Sequence, residues 1–222
     1  MGSSIKPLKN NRYTILELFK GTGSVGKMAK KMGLNDVSLD LEEKYNPDIL
    51  TDILKWDYKK WAKETNFKPD LIWASPPCNT YSPLAYPLKE RNPQTAIPYS
   101  ERAKIGTKVL YRTLEIIDYF KSINPNLLFV IENPKGMMRN DKKIKKLTRD
   151  TTCYCLYGDF KRKLTDFFNN VPDGLHLKEV NPCPNPDIII PVDKLKTIEE
   201  RYSIPQKLIK AILERMIEMY KK

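Results

Sequence analysis

The chain has 222 residues, 41% of them apolar, and its 39 Lys plus Arg against 27 Asp plus Glu give a net charge of +12. That length carries one α/β domain with a packed core and is marginal for two; the absence of any run of about 18 apolar residues argues against a membrane-spanning helix. The positive excess suits a polyanionic partner, although a Lys-, Asn- and Ile-rich genome would produce the same bias.

Short apolar runs alternate with amphipathic stretches, the pattern of strands and helices around a mostly parallel sheet. Tyr13 to Phe19 reads as a buried first strand. The turn Gly21-Thr22-Gly23 follows, then a helix from Ser24 to Met32 that stops at Gly33. Val37 to Leu41 is a second strand ending in acid, Asp48 to Leu50 a short third, and Trp56 to Thr65 a helix. Asp70 to Ala74 is a fourth strand, cut off by Ser75-Pro76-Pro77-Cys78. Tyr81 to Ser100 is rich in proline and polar residues and reads as a loop, and Ser100 to Ser122 as a long helix. Leu127 to Glu132 is a fifth strand halted by Asn133-Pro134. A basic stretch, Lys142 to Arg149, precedes two further strands, Thr151 to Leu156 and Leu164 to Phe168. After a Pro-rich segment, Pro172 to Pro191, a closing helix runs from Pro205 to Tyr220.

Three constellations carry chemistry. In the first, Gly21, Gly23 and Gly26 let the backbone turn sharply and approach a ligand, with the free amides of a helix start behind them. Asp40 ends the next strand, where a carboxylate accepts hydrogen bonds from a ribose diol and repels a phosphate, which favours a nucleoside-type ligand. Asp52 beside Ile53 reads either as an adenine-binding pair or as a solvated loop. In the second, Cys78 follows two stiffening prolines past a central strand end, where ligands of open α/β sheets bind. A thiol with a pKa of about 8.5 is only slightly ionised at neutral pH, so a nucleophilic Cys78 needs positive surroundings; an inert small cysteine is the plain alternative. In the third, Glu132 ends the neighbouring strand beside Cys78, where a carboxyl can protonate or hydrogen-bond a ring nitrogen.

The remaining cysteines are Cys153, Cys155 and Cys183. Met1-Gly2-Ser3-Ser4 lacks the apolar core of a secretion signal, so a disulfide framework is not expected. With His176 these cysteines could bind zinc, but Cys-x-Cys spacing is poor for it, and ordinary thiols are the expectation, with no metal.

The order Gly-rich turn, acidic strand end, Pro-Pro-Cys, Glu-Asn resembles the DNA (cytosine-5) methyltransferases over residues 13–168, in a minimal form associated with viruses and phages. The resemblance implies a Rossmann-like S-adenosylmethionine-dependent methyltransferase fold with a mostly parallel central sheet. It implies S-adenosylmethionine as cofactor, held by Phe19, Gly21, Gly23, Asp40, Leu41, Asp52, Ile53 and Pro76. It gives Cys78 as nucleophile, Glu132 as the acid that binds the base, and Arg162 as a basic group near a flipped cytosine. Asn79, Ser82, Lys89, Arg91, Lys161 and Lys163 are the expected nucleic-acid contacts. The implied location is inside a prokaryotic host or a virus-infected cell.

The sequence departs from the family at Asn79, where Gln is common, at Pro134, where Val is usual, and at Arg201-Tyr202-Ser203, where Gly-Asn is expected. Only the segment 169–203 stands where a target-recognition domain would be, so one catalytic domain over 1–222 is expected, with a specificity-giving partner as an option. An RNA cytosine-5 methyltransferase and a silent nucleic-acid-binding relative are the competing readings. Ser75 before and Cys78 after Pro-Pro disfavour an amino-group methyltransferase. Restriction-modification, evasion of host defence and marking of a viral genome are all compatible with this chemistry.

Overall fold

The computed structural model describes residues 13–180, 190–191 and 194–220. Its centre is a seven-stranded sheet in the order β3-β2-β1-β4-β5-β8-β6. The strands are β1 (Thr14–Leu18), β2 (Asn35–Asp40), β3 (Ile49–Leu50), β4 (Leu71–Ala74), β5 (Leu128–Pro134), β6 (Thr148–Cys153) and β8 (Leu164–Asn169). The first five pair in parallel, and β8 runs antiparallel to both β5 and β6. A separate parallel pair joins β7 (Lys161–Arg162) to β9 (Ile190–Pro191). The helices are α1 (Ser24–Lys31), α2 (Tyr58–Thr65), α3 (Glu101–Ile123), α4 (Ile198–Tyr202) and α5 (Gln206–Tyr220). Among the described residues no helix is long and apolar enough to cross a membrane.

Near-continuous apolar runs in β1, β4 and β5 fit strands covered on both faces. Alternate residues of each enter two different cores. Leu16, Leu18, Ile72, Ala74, Phe129 and Ile131 pack with α2 and α3 residues such as Ala62, Ile117 and Phe120. Ile15, Leu71, Trp73, Leu128 and Val130 pack with α1 and α5 through Val25, Leu208 and Ile212.

The helix ends follow local chemistry. Asp57 caps α2 by accepting from the Lys60 amide at 3.0 Å, and Ser100 caps α3 by accepting from Ala103 at 3.1 Å. Gly33 follows α1 with φ 73°, a left-handed value that glycine adopts without a Cβ clash.

The structure corrects the strand ends. Strand β5 does not stop at Glu132 but continues through Asn133 and Pro134, because β8 pairs with it to the end, opposite Asp166 and Thr165. Proline only lacks a donor, and the ladder resumes with the Lys135 amide on Leu164 O at 2.8 Å. Strand β6 starts earlier than expected, at Thr148, and ends at Cys153, where a tight turn over Tyr154–Tyr157 replaces the expected extension. Cys155, expected as a thiol, is disulfide-bonded, and its sulfur lies 3.0 Å from that of Cys153. The expected loop 81–100 contains a short 3-10 helix, Pro83–Leu88. Cys183 and most of the Pro-rich segment lie outside the described residues.

Asp166 in β8 is fully buried. It receives Arg139 on both oxygens, with Nε at 2.9 Å, and the Thr151 hydroxyl at 2.7 Å. Asp166→Ala takes the acceptor from Thr151 and from Arg139, whose side chain is itself part-exposed. It should cost about 1–3 kcal/mol, read as a lower urea midpoint with an unchanged denaturant slope.

Candidate active site

The carboxyl ends of β1 to β5 open onto one cleft of about 470 Å³, within the usual range for a small-molecule site. The turn after β1 forms one wall. Phe19 there has φ 66°, an uncommon value for a bulky side chain. It is held because the Phe19 and Lys20 amides both donate to Leu39 O, at 2.9 and 3.0 Å. Asp40 at the end of β2 accepts from the Gly21 amide at 2.8 Å and the Glu42 amide at 2.9 Å, one on each oxygen. Each oxygen keeps a further lone pair for a donor from the cleft.

Leu41 stands 67% exposed beside it, and Asp52 and Ile53 line the cleft beyond. Their turn is set from both sides. The Leu54 amide donates to Asp52 Oδ1 at 2.9 Å, and Arg112 of α3 donates to Ile53 O and Trp56 O at 3.3 and 2.8 Å. Leu41 and the buried Ile53 form an apolar slot with two carboxylates at its edges, groups that accept hydrogen bonds and repel a phosphate.

At the other end of the cleft sit Pro76, Cys78, Asn79, Glu132 and Lys163. The Cys78 carbonyl accepts from the Tyr81 and Ser82 amides, both at 2.9 Å. Asn133 donates to Pro76 O at 2.9 Å and so ties the Pro-Pro-Cys turn to β5. The Cys78 thiol is half-buried. Burial pushes its pKa up, Lys163 pulls it down, and Glu132 adds to the rise. Glu132 accepts from the Tyr154 hydroxyl at 3.0 Å and lies 3.7 Å from the Lys163 ammonium.

Of the residues singled out in the sequence, Phe19, Gly21, Asp40, Leu41, Asp52 and Ile53 share this cleft with the five just named. Gly23 does not line it; with φ 68° it is the residue that precedes α1. Ser82 is buried under the Cys78 turn, and Lys89 is exposed at the end of the 3-10 helix, away from the lining.

Three basic residues need correction. Arg162 is exposed and outside the cleft, while Lys163, one residue on, faces Glu132. Alternation along the chain turns the two side chains to opposite sides. Lys161 is not offered to nucleic acid: it is 1% exposed and donates to Ser203 O and Oγ at 2.8 and 2.9 Å. Arg91 is 2% exposed, stacks 3.6 Å from the Tyr81 ring centroid, and donates to Thr80, Thr107, Ala96 O and Ala103 O. Gly106 of α3 leaves it room, since a Cβ there would lie 3.0 Å from the guanidinium.

Sequence reasoning did not anticipate Lys20, Thr22, Lys44, Tyr45, Tyr202 or Ile204 in the lining. Lys20 and Thr22 belong to the Gly-rich turn and Tyr202 to the unusual Arg201-Tyr202-Ser203 segment that Ile204 follows, whereas Lys44 and Tyr45 carried no signal. Among the described residues no three metal-ligating side chains gather.

Beneath the Gly-rich turn, Glu17 and Asp36 crowd α1. A Cβ on Gly26 would lie 2.3 Å from Asp36 Oδ2 and 3.1 Å from Glu17 Oε2. Burial first, then Asp36, raises the Glu17 pKa; burial first, then Asp48, raises that of Asp36 to about 6.

No protein-family model matches the chain. A curated protein of Frog virus 3 (isolate Goorha), a probable DNA (cytosine-5)-methyltransferase, is 35% identical over 179 residues, covering 77% of this chain and 78% of that protein. Among solved structures, the S. pombe Dnmt2 methyltransferase aligns with a TM-score of 0.48 and 13% identity over 71% of this chain. The Entamoeba histolytica methyltransferase EhMeth aligns with a TM-score of 0.45 and 13% identity over 72%. The chain spans 48% and 53% of those two structures, and likeness at this level adds nothing to the topology already described.

Two outcomes follow from the buried charges. Arg91→Met should cost about 2–4 kcal/mol in urea unfolding, because Thr80, Ala96 and Ala103 lose their donor. Asp36→Asn should be more stable than the parent at pH 7 by about 1–3 kcal/mol. A carboxyl raised on folding destabilises as it ionises, so the advantage should vanish below about pH 4, where Asp36 is protonated folded and unfolded.

Proposed function

The chain belongs to the DNA (cytosine-5)-methyltransferase family, and on that footing we propose that it transfers a methyl group from S-adenosylmethionine to carbon-5 of a cytosine in DNA. The observation that carries the residue roles is the convergence of Cys78, Glu132 and Lys163 at one end of a single cleft. A thiol, a carboxyl and an ammonium together supply what addition to a pyrimidine ring needs.

The target base has to leave the stack, since its ring face is covered inside a duplex. Cys78 as thiolate donates an electron pair to carbon-6, forming a sulfur–carbon bond. The ring double bond shifts its electrons toward carbon-5 and the ring nitrogen beyond, where Glu132 holds a proton or hydrogen bond. Carbon-5 is then the electron-rich position that accepts the electrophilic methyl group that S-adenosylmethionine supplies when bound. Transfer of the carbon-5 proton to water then returns the electrons to the ring and expels Cys78 as thiolate. Lys163 offsets the burial that disfavours the thiolate. Asp40 and Asp52 would accept from the ribose hydroxyls and the adenine amino group, with Leu41 and Ile53 flanking the ring. We also infer one catalytic domain over 1–222.

Duplex DNA carrying 5-fluorocytosine should trap a covalent adduct on the intact protein and none on Cys78→Ala. Methylation at carbon-5 by Cys78→Ala would sink the nucleophile assignment. Glu132→Gln should slow transfer by about two to four orders of magnitude while calorimetric affinity for S-adenosylmethionine stays nearly constant. Preference for RNA over duplex DNA in the same assay would reassign the substrate.

A further inference from the structure

We propose that Tyr154 is a positioning residue for the reaction, its ring locked in the core and its hydroxyl holding one oxygen of Glu132 so that the other is kept for the base. The inference rests on the roles proposed above for Cys78 and Glu132. Tyr154 opens the turn after β6 and is fully buried, packed in the core that α1 and α5 share. Its hydroxyl donates to Glu132 Oε1 at 3.0 Å.

The Lys163 ammonium approaches the same oxygen, at 3.7 Å, and lies 5.0 Å from the Tyr154 ring centroid. The Tyr154 amide donates to Lys163 O at 3.2 Å, so the two donors are set by one short backbone pairing. Among the described residues Glu132 Oε2 has no hydrogen-bond partner, and Glu132 faces the cleft.

The terminal torsion of a glutamate is broad, and a carboxyl that must meet the edge of a pyrimidine in plane gains from having that torsion fixed. A lysine is a flexible point charge and fixes no plane. A phenol on a ring that cannot move does. Burial, with Glu132 next, raises the Tyr154 pKa well above its ordinary value, so the hydroxyl remains a donor wherever the protein is folded. The arrangement has a second effect. By sharing Oε1, Tyr154 leaves the Lys163 ammonium free to act on the Cys78 thiol as well.

Tyr154→Phe removes one oxygen and keeps the ring. Its affinity for S-adenosylmethionine should match the parent, and it should stay folded with a melting temperature about 2–4 °C lower. Its single-turnover methylation rate should fall about ten- to a hundredfold, with no further loss when the substitution is made in Glu132→Gln. A readout independent of turnover is alkylation of Cys78 by iodoacetamide, followed by mass spectrometry across pH. With the phenol gone, Lys163 is the sole donor to Glu132 and is drawn from the thiol. Cys78 should then titrate higher and alkylate roughly threefold more slowly near pH 8. A Tyr154→Phe protein with parental methylation rate and parental Cys78 titration overturns the proposal. If the parent itself forms no adduct and methylates nothing, the enzymatic reading fails, and the thiol titration alone decides for or against the Tyr154–Glu132 coupling.

Discussion

Because β8 runs antiparallel between β5 and β6, the residues that enter β8 lie beside those that leave β5. In an all-parallel sheet the start of a strand is at the opposite end from the ligand cleft. Here the reversal brings Lys163, just ahead of β8, next to Glu132, near the end of β5. The same pairing carries β5 through Pro134 and, with β6 on the far side, buries Asp166 where Arg139 and Thr151 satisfy it. Charge placement at the cleft and stability at the sheet edge are thus two results of one strand reversal.

The loop after Cys78 shows a division of labour between root and tip. Its root is clamped: Arg91 fills a polar socket between Thr80, Tyr81 and α3, and the Met137 amide donates to Tyr81 O at 2.7 Å. Its tip, the short helix Pro83–Leu88, leaves Leu84, Tyr86 and Leu88 in solvent. A stiff root holds Cys78 steady over Glu132 without requiring the rest of the loop to be ordered in the same way.

Much of this was legible in the chain because local chemistry and global topology agree. Buried strands next to glycine, proline and acid marked the five parallel strand ends, and ligand sites in such sheets gather there. Cys78, Glu132, Asp40 and Ile53, which line one cleft, were singled out by position relative to a strand end, which the sequence displays directly. What was missed depends on orientation. A one-residue shift separates Arg162 from Lys163, and composition does not say which faces inward. Arg91 looked like a phosphate contact because a basic residue in a polar loop usually is solvated. Its burial depends on Gly106, fifteen positions later in another element. Tyr154 carried no motif, since its hydroxyl acts through a tertiary contact.

The closing segment has a consequence for how the chain comes to be active. Lys161 holds Ser203, the Ile204 amide reaches Ser24 Oγ at 3.2 Å, and Gln206 donates to Ser24 O at 2.8 Å. Ser24 opens α1, some 180 residues earlier. The sheet can assemble while the chain is still emerging from a ribosome, N-terminal parts first. The wall formed by Tyr202 and Ile204 cannot. Translation therefore leaves the cleft open on that side until Tyr202 and Ile204 have been made and can dock against the start of α1.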